Sequence, residues 1–218
     1  MCGRYAAFAD GDIAEMSAIL AEVRGAFGDG VVSVGEICPT NTAPILLLEG
    51  NRLTPRPAVW GFPKWGGKGV VINARGETAL RKPMFSKALL TRRCVVPSTG
   101  FYEWAHIRGA NPQLSFFTDL PDGKPSPKAP KAKMLFNVPG EQMLYMAGMI
   151  DTITDASGKP KDVFCILTTK ANHTMAQFHD RMPVVLSRNE REDWISSDAF
   201  MREAIARDGI DLGWQAVS

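Results

Sequence analysis

The chain has 218 residues, 45% of them hydrophobic, and a formal net charge of +2. That length and composition fit one large globular domain with a full core or two small ones, and the near-neutral balance excludes a polycation. No run of 18 apolar residues and no charged start followed by an apolar stretch occurs, so neither a membrane span nor a signal peptide is predicted, and the expected compartment is the cytoplasm.

In chain order, Ile13, Met16, Ile19, Leu20, Val23 and Phe27 recur at helical spacing over 12–27, with Gly28 as a stop. Residues 44–48 read as a strand, Glu49-Gly50-Asn51 as a turn, and 53–60 as the returning arm of a hairpin. A strand at 70–72 ends at Asn73, and 84–90 reads as a short helix. Strands follow at 94–96 and 101–104, with Pro97 and Gly100 bounding the turn between them. Residues 121–133 interleave Pro121, Pro125, Pro127 and Pro130 with Lys124, Lys128, Lys131 and Lys133, and read as an exposed, mobile loop. Strands resume at 134–138, 143–150 and 163–168. Ser187 and Glu190 form a capping box that opens a helix through Trp194, and a last helix is predicted over 198–207. Strands outnumber helices and are joined by turns, which predicts an α+β fold with a mostly antiparallel sheet. No repeat or internal boundary is visible, so a single domain over 2–218 and a monomer are expected.

Cys2, Cys38, Cys94 and Cys165 are scattered, and with His106, His173 and His179 they complete no zinc pattern. Free thiols, no metal and no cofactor are expected. Arg75, Arg81, Lys82, Lys87, Arg92 and Arg93 crowd one region, either a phosphate-binding face or a solvated surface.

The reactive residues fall into islands. If Met1 is removed, Cys2 carries an α-amine with a pKa of about 7.7–8.0 and a thiol of about 8.5 on adjacent carbons. That pair suits amide chemistry as an N-terminal nucleophile, or capture of an aldehyde as a Schiff base closed to a thiazolidine. Asn73 and Arg75 lie just past a strand end, where a hydrogen-bonding amide and a bidentate phosphate clamp can serve a site, or where a solvated turn can sit. Glu103 stands between Tyr102 and Trp104. Desolvation favours the protonated form of a carboxyl, the condition for a proton shuttle near neutral pH, although strand alternation can equally leave Glu103 on a wet face. His179, with Arg181 beside it, reads as an acid–base candidate near an anionic ligand. Trp60 and Trp65 bracket Gly61-Phe62-Pro63-Lys64, a rigid aromatic loop that either stacks on unpaired bases or belongs to the core.

Together these islands resemble the SRAP family, the SOS-response-associated peptidases, which crosslink abasic DNA. The resemblance runs through MCGRY at 1–5, CPTNTAP at 38–44, WGFPKW at 60–65, NARGET at 73–78, RRCVVPSTGFYEW at 92–104, AGM at 147–149, LTTKAN at 167–172 and HDRMPVVL at 179–186. It implies an α+β fold with a barrel-like antiparallel core, peripheral helices and a positively charged cleft. It implies Cys2 as covalent nucleophile, Asn73 to orient the opened sugar, and Glu103 and His179 to move protons during ring opening and imine chemistry. It implies Arg4, Arg75 and Arg181 on phosphates, Trp60 and Trp65 holding bases unstacked, and single-stranded DNA with abasic sites as partner, with nucleoid association when bound. The activity implied is that of a thiol autopeptidase with lyase-like Schiff-base chemistry. A peptidase acting mainly on its own Met1 and a non-covalent single-strand-binding module remain the alternatives.

Overall fold

Alternating burial along short, turn-bounded runs makes this a β-rich protein, and the computed structural model describes residues 3–8, 13–106 and 131–217. The strands are β1 (Arg4–Ala7), β2 (Gly35–Ile37), β3 (Thr42–Glu49), β4 (Arg52–Trp60), β5 (Phe62–Pro63), β6 (Val70–Val71), β7 (Asn73–Arg75) and β8 (Arg93–Ser98). They continue as β9 (Gly100–His106), β10 (Lys131–Asn137), β11 (Leu144–Thr154), β12 (Pro160–Lys170), β13 (Arg181–Pro183), β14 (Val185–Leu186) and β15 (Gly213–Val217). The helices are α1 (Ala14–Phe27), α2 (Gly76–Ala79), α3 (Pro83–Thr91), α4 (His173–Ala176), α5 (Arg191–Ser196) and α6 (Asp198–Ala206), with a 3-10 turn at Arg188–Glu190.

Five strands close into a barrel. β12 pairs with β4, β4 with β3, β3 with β8, β8 with β11, and β11 returns to β12. The β12–β4 seam is parallel and the others are antiparallel. Closure leaves these strands without a free edge to template aggregation. The expected α+β class, antiparallel bias and barrel-like core are all present. The hairpin is the simplest step: Glu49 pairs with Arg52, so Gly50-Asn51 is a two-residue turn, and Gly50 takes φ 61.

β7 and β13 extend the barrel at one end. β7 pairs with β12 from Ile166 to Thr168, just beyond the last β4 contact at Phe164. β13 takes the other edge of β12, from Thr168 to Lys170. A second antiparallel sheet, in the order β15–β10–β9–β1–β2, lies against the barrel. Tyr5 of β1 meets Trp60 of β4 edge-on at 5.1 Å, and Phe136 of β10 meets Phe178 at 5.1 Å. α1 buries Met16, Ile19, Leu20 and Val23 against β3 and β4. Each such side chain contributes about 1.5–3 kcal/mol on burial.

Three expectations need correction. Residues 121–130 lie outside the described residues, but 131–133 belong to β10, where Lys133 pairs with Trp104 and Val217. Pro97 is a strand residue opposite Tyr145, so β8 runs to Ser98 and Thr99 alone joins it to β9. β8 touches β3 at Val95 and runs on past it, where a proline costs no ladder bond to that neighbour. Arg93 leaves the basic cluster. It is 5% exposed, donates to the carbonyls of Trp194 at 2.6 Å, Ile195 at 2.8 Å and Leu89 at 3.0 Å, and pairs with Asp198 at 2.8 Å. Those carbonyls end α3 and α5, so one guanidinium caps the negative ends of two helices.

Candidate functional site

The C-terminal end of β12 gathers three of the sequence islands. NARGET supplies β7 and α2 on one edge, LTTKAN ends β12 itself and leads into α4, and HDRMP supplies β13 on the other edge. Arg181 ties them together. Its guanidinium donates to Glu77 Oε1 at 2.5 Å and Oε2 at 2.8 Å, and to the Thr168 carbonyl at 2.6 Å. Thr168 in turn donates its hydroxyl to the Ala74 carbonyl at 3.3 Å. Arg181 is 7% exposed, and it holds the Glu77 carboxyl below the usual carboxylate range. The sequence reading of Arg181 as a phosphate clamp is therefore corrected. A buried fork already bidentate on a carboxylate is a strut.

The strut fixes its neighbours. His179 lies two residues before Arg181, and its Nδ1 accepts the Arg181 amide at 3.0 Å. The same Nδ1 lies 2.7 Å from Asp180 Oδ1. These two contacts belong to different protonation states, since a bare Nδ1 accepts from the amide and a protonated one donates to Asp180. Upstream, Asn172 caps α4 by accepting from the Met175 amide at 2.8 Å, and it donates to the Ile210 carbonyl at 2.6 Å. Phe178 is wedged between Phe136 and Trp214, which seats the turn carrying His179 on the second sheet.

Asn73 opens β7 opposite Ile166 and is half-buried. Its position is set by Trp60. The Trp60 ring is 0% exposed, stacks with Phe164 at 6.3 Å, and donates Nε1 to the Ile72 carbonyl at 3.0 Å. Ile72 carbonyl also accepts from Ile166, so the residue before Asn73 is pinned twice. A fully enclosed ring offers no face to a base. Trp60 is a core residue, and the stacking role read for it is corrected. The CPTN turn secures the same strand end. Asn41 accepts the Cys38 amide at 2.8 Å, Thr40 and Asn41 bond the backbone of Trp60, and Thr40 holds φ 72 to do so. Gly61 takes φ 126, and a Cβ there would lie 2.7 Å from Val70, so the chain leaves Trp60 only through glycine.

Trp65 has the opposite fate. It sits at the tip of the β5–β6 hairpin and is 76% exposed. Arg75, Arg81, Lys82 and Lys87 are exposed as well.

Glu103 is 8% exposed and lies on β9 opposite Met134. Alternation puts it on the face of Phe101, which stacks on Phe136 at 5.2 Å, and away from Tyr102 and Trp104. The wet-face alternative for Glu103 is thereby set aside. β1 pairs Arg4 with Tyr102 and Tyr5 with Phe101, and continuing that register sets Gly3 opposite Glu103. Cys2 lies outside the described residues. Arg4 is on the outer face, its guanidinium 5.4 Å over the Trp104 ring and paired with Glu36.

The candidates therefore hang on one connected aromatic core. Asn73 follows Ile72, which Trp60 bonds. Gly3 and Arg4 precede Tyr5, which touches Trp60. Glu103 is two residues from Phe101, and His179 follows Phe178. Sequence reasoning missed Glu77, Glu36 and Lys133. Glu77 stood inside an island beside Arg75, but its partner is 104 residues away. Cys38, Cys94 and Cys165 are free thiols, and burial pushes the Cys94 and Cys165 thiols far up, so neither is a nucleophile.

A barrel flanked by a second sheet, with these islands at one barrel end, defines a family. The SRAP family model (SOS response associated peptidase) matches residues 1–210, and the chain belongs to that family. It is similar to Abasic site processing protein YoqW of Bacillus subtilis, 29% identical over 208 residues that cover 90% of this chain and 80% of that one. It is also 29% identical to Abasic site processing protein YedK of Escherichia coli, over 82% of this chain and 76% of YedK. A crystal structure of a Bacteroides thetaiotaomicron protein shares the fold, with a TM-score of 0.73, 21% identity, and coverage of 100% of this chain and 92% of that one. Among the described residues no helix is long and apolar enough to cross a membrane.

Proposed function

We propose that this protein processes abasic sites in single-stranded DNA, capturing the opened sugar as a thiazolidine on Cys2 once Met1 is removed. The observation that supports the reading is the β1–β9 register, which pairs Arg4 with Tyr102, the neighbour of the buried Glu103. The names of the relatives support abasic-site processing.

The chemistry balances without a redox partner. The Cys2 amine adds to the aldehyde and water leaves, giving an imine. The thiol then adds across the C=N bond, forming a C–S bond and returning a proton to nitrogen. Glu103 and His179 are the groups that move protons, and Asn73 orients the open sugar. Arg4 and Arg75 bind flanking phosphates, and Trp65 stacks on a neighbouring base. An abasic site has no base to read, so backbone charge, stacking and the aldehyde must supply recognition. Closing the ring removes the aldehyde from β-elimination and shields the strand.

Mass spectrometry after mixing the protein with an abasic oligonucleotide tests this. A heat-stable adduct is expected. Cys2→Ser should give only a borohydride-trappable, heat-labile imine, because a hydroxyl closes the ring far less favourably. An equally heat-stable adduct from the serine variant would exclude the thiazolidine. Cleavage of a peptide in trans with no adduct would favour a peptidase of the N-terminal-nucleophile type, and neither product would leave a non-covalent binder.

A further inference from the structure

On the outer face of the second sheet two cations converge on one carboxylate. Arg4 and Lys133 both donate to Glu36, one to each oxygen. Arg4 on β1 and Lys133 on β10 approach from either side of β9. Each lies over a ring of that strand: the guanidinium over Trp104, and Lys133 Nζ 4.1 Å from the Tyr102 centroid. The trio is open to solvent, with Arg4 43%, Lys133 24% and Glu36 27% exposed. Lys131, two residues before Lys133 on the same strand, is exposed too. Cations interleaved with aromatic rings are the pattern that holds a single strand. A carboxylate bridging two cations presents paired anionic oxygens, as a phosphodiester does.

We propose that Arg4 and Lys133 form a phosphodiester subsite, and that Glu36 is an internal stand-in for the phosphate, displaced when single-stranded DNA binds. This rests on the single-strand reading above. Without DNA, Glu36 keeps two long side chains ordered over their rings. With DNA, the carboxylate must give way, and its loss is set against the new contact. Undamaged strands are therefore held weakly, and retention falls to strands that also offer an aldehyde. Lys133 and Arg4 hold the Glu36 carboxyl below the usual range, which keeps the stand-in charged at neutral pH.

The test is fluorescence anisotropy of an undamaged single-stranded oligonucleotide across a salt series. One phosphate neutralised on a single strand adds about 0.7 to the log–log salt slope, or about fivefold in affinity near 0.1 M salt. Glu36→Gln should bind about that much more tightly, with a steeper slope. Adding Lys133→Ala should return affinity to the wild-type level, and Glu36→Asp should behave as wild type. Millimolar inorganic phosphate at fixed ionic strength should leave binding unchanged. If wild type binds and Glu36→Gln binds no better, the stand-in is wrong and the single-strand reading survives. Displacement by inorganic phosphate would make this a free-anion site instead. If neither protein binds the oligonucleotide, the single-strand reading itself fails and takes the subsite with it.

Discussion

Trp60 and Trp65 belong to one island and do different work. Trp60 shares a face with the buried Ala58, and its indole N–H is spent on Ile72. Trp65 projects from a glycine-rich hairpin tip. Removing a fully packed tryptophan costs about 3–5 kcal/mol, while an exposed side chain rarely exceeds about 0.5 kcal/mol. Trp60→Ala should therefore lower the denaturation midpoint sharply. Trp65→Ala should leave the midpoint in place and weaken single-strand binding by about 1–3 kcal/mol, the usual worth of one stacked base. Denaturant titration alongside anisotropy separates the two, and a Trp65→Ala protein that binds normally would remove Trp65 from the interface. The period-2 pattern over 58–60 already pointed Trp60 inward. What outweighed it was the family resemblance, which implied that both rings hold bases unstacked.

At the scale of elements, the end of β12 explains why the islands are spaced as they are. β7, β13 and α2 are three or four residues long, too short for any periodicity, so they read as loops. Arg181 beside His179 resembled an anion clamp because its real acceptor sits in another island. The longer elements were legible: the helix ending at Phe27, the hairpin through Gly50, and the Ser187–Glu190 box are all present. The strut makes a prediction that a phosphate clamp does not. Glu77→Gln keeps size but weakens a charge-assisted pair, costing about 1–2 kcal/mol given that Glu77 is partly exposed. It should slow adduct formation on abasic oligonucleotide, because Asn73 and His179 lose their common brace, while the salt slope of binding stays unchanged. Arg181→Lys should do the same. A slope reduced by about 0.7 in Arg181→Gln, which removes the charge that lysine keeps, would instead place the guanidinium on DNA.

Over the whole molecule, local strands were readable from their pattern, whereas the barrel was expected only through the family resemblance. The barrel shuts through a parallel seam between β4 and β12, which lie about a hundred residues apart, and no local pattern encodes such a pairing. Ion pairs also join separate elements outside the barrel strands: α2 to β13, β2 to β1 and β10, and the 3-10 turn to the end of α6. Glu77 is drawn down by Arg181, and Glu36 by Lys133 and Arg4. Glu190 serves the capping box through the Ser187 amide and clasps Arg207 at the end of α6 at 2.6 and 2.8 Å. Arg207 takes its carboxyl from 4.5 to about 2. Every one of these carboxyls binds its proton less readily folded than unfolded. Their contribution is thus complete above the unfolded value near 4.5 and disappears as pH falls toward the folded values, for Glu190 about 2. The thermal midpoint should hold steady from neutral pH down to about 5 and then decline steeply. Glu190→Gln should start lower at neutral pH and lose less on acidification, so the two curves converge in acid. Melting curves recorded by circular dichroism over that range decide it. Parallel curves for wild type and Glu190→Gln would mean that the Arg207 clasp contributes nothing to the fold.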